Sequence, residues 1–197
     1  MKKQPKIKVI LGLGNPGSEY AQTRHNFGKS LINQFFQNPK ILKFSQYEAI
    51  GSIKIATPLT FMNESGKAAA ELQKALKVKP EEILVIHDEA DLPFLWIKIT
   101  QGAGSAGHKG IESVMRALKS KNFWRLRVGI QGKQRKKAEE LVLKKFSKAE
   151  SELWKQAIKR FPAIVEMAQE RSPSAFNIPQ KIFIDEKKLI KTTGRKH

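Results

Sequence analysis

The sequence predicts an α/β domain built on a mixed, largely parallel sheet. Short apolar runs of strand character alternate with stretches of helical apolar spacing, and Gly, Pro or polar clusters mark each change. No internal repeat interrupts that alternation, and 197 residues suit a single domain. A chain of this size buries about 70% of the surface it exposes when unfolded, so its core needs no metal or disulfide staple.

Each element has a local reason. Residues 6–11 read as a strand, and Gly12-Leu13-Gly14-Asn15-Pro16-Gly17 after them can only turn. Phe27, Leu31, Ile32, Phe35 and Phe36 recur at helical spacing over residues 27–36. Residues 47–56 alternate around Gly51 like a hairpin and stop at Thr57-Pro58. Residues 65–76 are Ala-rich and helical, closed by Lys79-Pro80. A short apolar strand at 82–86 ends in His87-Asp88, and residues 96–99 and 124–130 are further strands around a helix at 111–118. Residues 150–169 read as a helix kinked at Pro162. The expected division is a catalytic α/β body over 1–170 and a mobile basic tail over 171–197.

Lysine and arginine number 37 against 18 acidic residues, a formal net charge of +19. The tail contributes only part of it, so the folded body is itself basic. Such a surface attracts polyanions, with nucleic acid as the first candidate. The absence of cysteine excludes a disulfide framework, a zinc–thiolate site and a thiol nucleophile together. The apolar runs fall far short of the roughly 18–20 residues that span a bilayer. The N-terminus turns into its Gly/Pro loop too early for a signal peptide. A soluble, cytoplasmic protein with no membrane partner is expected.

Several familiar motifs fail on context. Gly12-Leu13-Gly14-Asn15-Pro16-Gly17 matches a dinucleotide fingerprint, but Pro16 disturbs the helix start and no acidic residue occurs between Glu19 and Glu48. Asp88-Glu89-Ala90-Asp91 lacks the upstream phosphate loop that nucleotide hydrolysis requires. Ser105 in Ala103-Gly104-Ser105-Ala106-Gly107 resembles a nucleophile elbow, yet the acid and histidine that should follow it cannot be found in order. His87, Asp88, Glu89 and Asp91 contain no metal-binding histidine pair. Neither metal nor cofactor is expected.

The chemistry that survives centres on histidine. His25 lies where a strand hands over to a helix, Asp88 at a strand end, and His108 between a glycine-rich stretch and a helix. Ligand crevices of open α/β sheets form outside the carboxyl ends of the strands. Asn15, His25 and Asn26, then Asn63, then Asp88, His108 and Lys109 therefore converge on one crevice. A histidine oriented by a carboxylate is a general base near neutral pH, and carboxamides can meet a developing oxyanion. Each residue also has a purely architectural use: His25-Asn26 as a helix cap, Asn63 as a turn residue, Asp88 as a loop brace.

These residues carry a resemblance. Residues 11–28 (LGLGNPGSEYAQTRHNFG), 57–68 (TPLTFMNESGKA), 86–93 (IHDEADLP), 102–110 (GAGSAGHKG) and 123–129 (FWRLRVG) resemble bacterial-type peptidyl-tRNA hydrolase, in order and spacing, up to about residue 170. The resemblance implies a single-domain α/β/α sandwich, active as a monomer without metal or cofactor. It implies hydrolysis of the ester between a peptide C-terminus and the 3′ ribose of tRNA, which recycles peptidyl-tRNA released from stalled ribosomes. It makes His25 the catalytic base and Asp88 its orienting carboxylate. It makes Asn15, Tyr20, Met62, Asn63, His108 and Lys109 substrate-binding positions, and Lys98, Arg125, Arg127 and Lys145 basic positions for tRNA.

One position departs. The usual Gly-His-Asn-Gly is Gly107-His108-Lys109-Gly110 here. The family asparagine is assigned to peptide binding and to holding the attacking water, and a protonated lysine cannot accept a hydrogen bond. The other expectation is therefore a non-catalytic RNA-binding protein on the same fold, with Lys109 marking lost chemistry.

Overall fold

The computed structural model describes residues 6–132, 134–162 and 180–181. Eight strands form one sheet: β1 (Val9–Gly12), β2 (Lys40–Ile41), β3 (Ser45–Ile50), β4 (Ile53–Pro58), β5 (Ile83–Pro93), β6 (Trp96–Gln101), β7 (Trp124–Gln131) and β8 (Gln180–Lys181). Their spatial order is β2-β3-β4-β1-β5-β7-β6-β8. The centre, β4-β1-β5-β7, is parallel, and every pairing outside it is antiparallel. The sheet is mixed as expected, with its parallel character confined to the middle.

Helices cover both faces. The sheet side chains alternate in direction, so Ile10 and Ile86 enter one core with Phe27, Leu31, Ile32 and Trp154, while Leu11 and Val85 enter the other with Ala69, Leu72, Ile111 and Val114. Helices α1 (Phe27–Asn33) and α5 (Lys148–Ile158) serve the first core; α2 (Ser65–Leu76) and α3 (Lys109–Leu118) serve the second. A short α4 (Ala138–Leu141) precedes α5. This is the α/β/α sandwich.

Helix α1 sits directly on the sheet because two glycines allow it. A Cβ on Gly28 would lie 2.3 Å from the Ile86 carbonyl oxygen, and one on Gly12 2.2 Å from the Gly28 carbonyl oxygen. The Lys29 amide also donates to the Leu13 carbonyl at 2.8 Å. That contact suspends the residues just before α1 over the ends of β1 and β5. Gly28→Ala is expected to cost about 1–3 kcal/mol or somewhat more through overpacking; a urea midpoint matching the parent would refute the contact.

Several elements differ from expectation for identifiable reasons. The hairpin extends to Ser45 and Pro58, with β3 and β4 paired throughout and Gly51 at φ +56 in the turn. Strand β5 runs to Pro93 rather than stopping before His87, because β7 pairs with its polar half through Asp88↔Val128 and Glu89↔Gly129. The register then shifts between Glu89 and Pro93, where a Cβ on Gly129 would lie 1.9 Å from the Pro93 carbonyl oxygen. Helix α5 begins at Lys148, capped by Ser147, whose hydroxyl accepts from the Glu150 amide while Glu150 accepts from the Ser147 amide. It ends at Ile158 because the Pro162 ring would collide with the carbonyl four residues earlier. Residues 159–160 form a turn and 161–162 are helical again; the expected helix from 163 to 169, and the tail apart from Gln180–Lys181, lie outside the described residues.

Candidate active site

The pairing of β1 with β5 ends at Gly12↔Ile86. Beyond that point β1 turns away through Gly14–Gly17, leaving His87 and Asp88 of β5 uncovered on that side. A 3-10 turn, Arg24–Asn26, brings the chain back across the gap. Asn15 and Asn26 hold this crossing: the Asn15 amide donates to Asn26 Oδ1 at 2.8 Å, and Asn26 Nδ2 donates to the Asn15 carbonyl at 2.9 Å. Asn15 Oδ1 accepts from the Met62 amide at 2.7 Å. Its Nδ2 hydrogens therefore have no partner among the described residues.

His25 and Asp88 meet in that gap. His25 Nδ1 lies 2.9 and 3.0 Å from the two Asp88 oxygens. A carboxylate only accepts, so Nδ1 carries the proton and Nε2 presents a lone pair. The His25 side chain is 13% exposed and Asp88 only 2%. Asp88 is shared: His108 Nε2 approaches its Oδ1 at 3.0 Å, while His108 Nδ1 accepts from the Ile111 amide as the N-cap of α3. That cap bond fixes the proton on His108 Nε2. Burial alone would raise the Asp88 pKa, but the two imidazoles outweigh it and hold the carboxyl well below the usual range.

His87, set aside above as a metal ligand, lies beneath this pair. Its ring packs edge-on against His108 with centroids 4.7 Å apart, and the His108 ring is 4.9 Å from that of His25. His87 Nδ1 donates to the Asp88 carbonyl at 2.7 Å. Burial, then the nearby His108, pushes its pKa well below the ordinary 6.5, against the pull of Asp88. The folded chain therefore binds fewer protons at His87 than the unfolded chain below pH 6.5, and stability falls as pH falls. The slope from this one group is at most about 1.4 kcal/mol per pH unit. Urea midpoints of His87→Asn between pH 7 and pH 5 are expected to fall less steeply than those of the parent; equal slopes would refute a buried neutral imidazole.

A segment from the C-terminal half frames the site. The His25 amide donates to the Val142 carbonyl, the Arg24 amide to Lys144, and the Phe146 amide to Gln22, around a Thr23↔Lys145 bridge. Arg24 is buried between Phe94 and Phe146, donates to the Ile130 carbonyl, and reaches both Glu150 oxygens at 2.8 Å. The sequence reading missed this ion pair, although Ser147-Lys148-Ala149-Glu150 carried a capping signal for that helix start.

The other expected residues divide. Met62 is buried near Gly110 of α3, and Tyr20 meets Phe61 edge-on at 6.3 Å. Asn63 is exposed beside Met62, and its side chain has no hydrogen bond among the described residues. Lys109 does not join the His–Asp cluster: its side chain is 73% exposed and faces Glu112 at 3.6 Å. Lys145 is exposed on the framing segment. Lys98 is half-buried and registers with Arg127, which binds Glu89 at 2.7 Å. Arg125 corrects the expectation of a surface contact. It is 2% exposed, and its Nη1 donates to the Gly104 carbonyl, so it braces the glycine-rich loop from below.

Among the described residues, His25, Asp88 and His108 are also the one group whose ligand atoms could surround a cation. No helix among those residues is long and apolar enough to cross a membrane.

Comparison with known proteins gives a consistent result. The family model described as peptidyl-tRNA hydrolase matches residues 9–184. A peptidyl-tRNA hydrolase of Pasteurella multocida is 50% identical over 135 residues, covering 63% of this chain and 70% of that protein. One from Syntrophomonas wolfei is 38% identical over 169 residues, covering 81% and 92%. The crystal structure of peptidyl-tRNA hydrolase from Acinetobacter baumannii superposes with a TM-score of 0.74 at 34% identity, covering 87% of this chain and 93% of that one.

Proposed function

The chain belongs to the peptidyl-tRNA hydrolase family and hydrolyses peptidyl-tRNA, and from that premise we propose that His25 is the general base that cleaves the ester at the tRNA 3′ ribose. The observation that carries this reading is the Nδ1–carboxylate bond at 2.9 Å, which leaves Nε2 as the acceptor. His25 Nε2 takes a proton from water as the water oxygen attacks the ester carbonyl carbon. The carbonyl electrons move to oxygen, where the free Asn15 Nδ2 and the exposed Asn63 carboxamide are donors within the same crevice. Collapse expels the ribose oxygen, which recovers the proton from the imidazolium. The products are a peptide carboxylate and a tRNA 3′ hydroxyl. An ester has a good leaving group, so no covalent nucleophile is needed.

Asp88 keeps the imidazole in the required tautomer and supports its positive charge. His108 steadies Asp88 and joins it to α3. Lys109 faces away from this cluster and does not take over the water-holding role of the family asparagine. Exposed lysines such as Lys145, with Lys98 and Arg127 on the sheet, supply tRNA phosphate contacts, and the complex weakens with salt. The protein acts as a cytoplasmic monomer, with residues 1–170 as its catalytic body. The non-catalytic reading has no support, since the relatives are hydrolases and the His25–Asp88 geometry is complete. A single-turnover assay on peptidyl-tRNA, following release of deacylated tRNA, tests the proposal; tRNA binding without release would overturn it.

A further inference from the structure

The two imidazoles and the carboxylate at this site form a second constellation besides the acid–base pair. His25 Nδ1, Asp88 Oδ1 and His108 Nε2 all lie within 4.8 Å of one another, with both nitrogens aimed at the same oxygen from 2.9 and 3.0 Å. We propose that His25, Asp88 and His108 form an inhibitory site for a borderline divalent cation such as Zn²⁺, which switches hydrolysis off; this rests on the general-base role proposed for His25.

Two imidazole nitrogens and one carboxylate oxygen are a donor set that suits zinc, whereas magnesium and calcium prefer oxygen alone. With bonds of about 2.0–2.2 Å, tetrahedral ligand atoms stand roughly 3.4 Å apart. The two short edges must therefore open by a few tenths of an ångström and the nitrogen–nitrogen edge must close. Both ring nitrogens now point at Asp88 Oδ1 itself, so each ring must also turn until its lone pair meets the cation instead of the oxygen. Asp88 supplies the one acidic oxygen of the donor set.

Inhibition follows from proton bookkeeping on the rings. A neutral imidazole carries one proton, so a cation on His25 Nδ1 moves that proton to Nε2. The lone pair that accepts a proton from water is then gone. On His108 the cation takes Nε2, its proton moves to Nδ1, and the 3.3 Å bond from the Ile111 amide is given up. Neither ring loses a proton overall. The cation would sit behind the His25 ring, beside the buried carboxylate.

The test uses the full, metal-stripped protein with magnesium held constant. Zn²⁺ is titrated into the peptidyl-tRNA assay, and Co²⁺ is titrated separately while its visible spectrum is recorded. The expected result is stoichiometric loss of activity with Zn²⁺, recovery on adding EDTA, and an intense four-coordinate Co²⁺ band. His108→Gln, and independently Asp88→Asn, should weaken Co²⁺ binding at least by the roughly 10–100-fold that an outer-shell change alone costs. A Co²⁺ band that survives His25→Gln together with His108→Gln would overturn the proposal. So would a rate that Zn²⁺ leaves unchanged or raises. Absence of hydrolysis in the metal-free protein would instead overturn the base assignment, while the Co²⁺ titration would still read the site directly.

Discussion

The His25→Ala variant is expected to hydrolyse peptidyl-tRNA about 10²–10⁴-fold more slowly than the parent, the usual worth of a general base. The loss should fall on kcat, with KM little changed, because the imidazole contributes no phosphate contact. The backbone bond from residue 25 to the Val142 carbonyl does not depend on the side chain, so the framing segment stays in place. Single-turnover rates alongside circular dichroism check both halves of the expectation. A parental rate in a folded variant would remove His25 from the reaction.

Asp88→Asn should be nearly as damaging, with a cost approaching the order of 10⁴-fold that the same exchange causes in a serine-protease triad. The carboxylate accepts from His25 with both oxygens and from His108 with one. A carboxamide has a single oxygen and must turn its N–H₂ group toward one of those rings. Facing His25, it would favour the tautomer with the proton on Nε2, which cannot accept one from water. The stability comparison has its own sign. The depressed Asp88 pKa contributes stability above the ordinary value of 3.8, which is lost as pH falls through the folded value. The parent and the variant should therefore converge in strong acid and differ by a constant amount near neutrality. A variant retaining most of the parental rate would show that His25 needs no orienting acid.

The legibility of this molecule in its sequence divides along the range of the interactions involved. Helix α2 is readable to its ends because its causes are local: an alanine-rich stretch, then Lys79-Pro80 just beyond the last turn, where the structure ends the helix at Leu76. The polar run from His87 to Asp91 looked like the end of a strand, and only pairing with β7, about 40 residues away, makes it extended. Convergence of His25, Asp88 and His108 was legible from topology, since the ends of adjacent parallel strands share one crevice. The resemblance implies that Arg125 and Arg127 are both basic positions for tRNA, but Arg125 is buried and donates to the Gly104 carbonyl of the loop beside it. Lys109 and Glu112 stand three apart on α3, so their pairing has a local cause. The Arg24–Glu150 pair spans 126 residues, beyond the reach of any local pattern.

The carbonyl-to-glycine approach between α1 and the sheet also bears on how variation in this protein should be interpreted. Gly12 and Gly28 bear no reactive group, yet a methyl at either would tilt the helix that follows the base. Library selection for turnover would score both positions as intolerant, much as it would score the acid and the imidazole. Assigning chemistry by intolerance alone would therefore mistake a hinge pin for a reagent; pairing each score with a melting temperature separates the two.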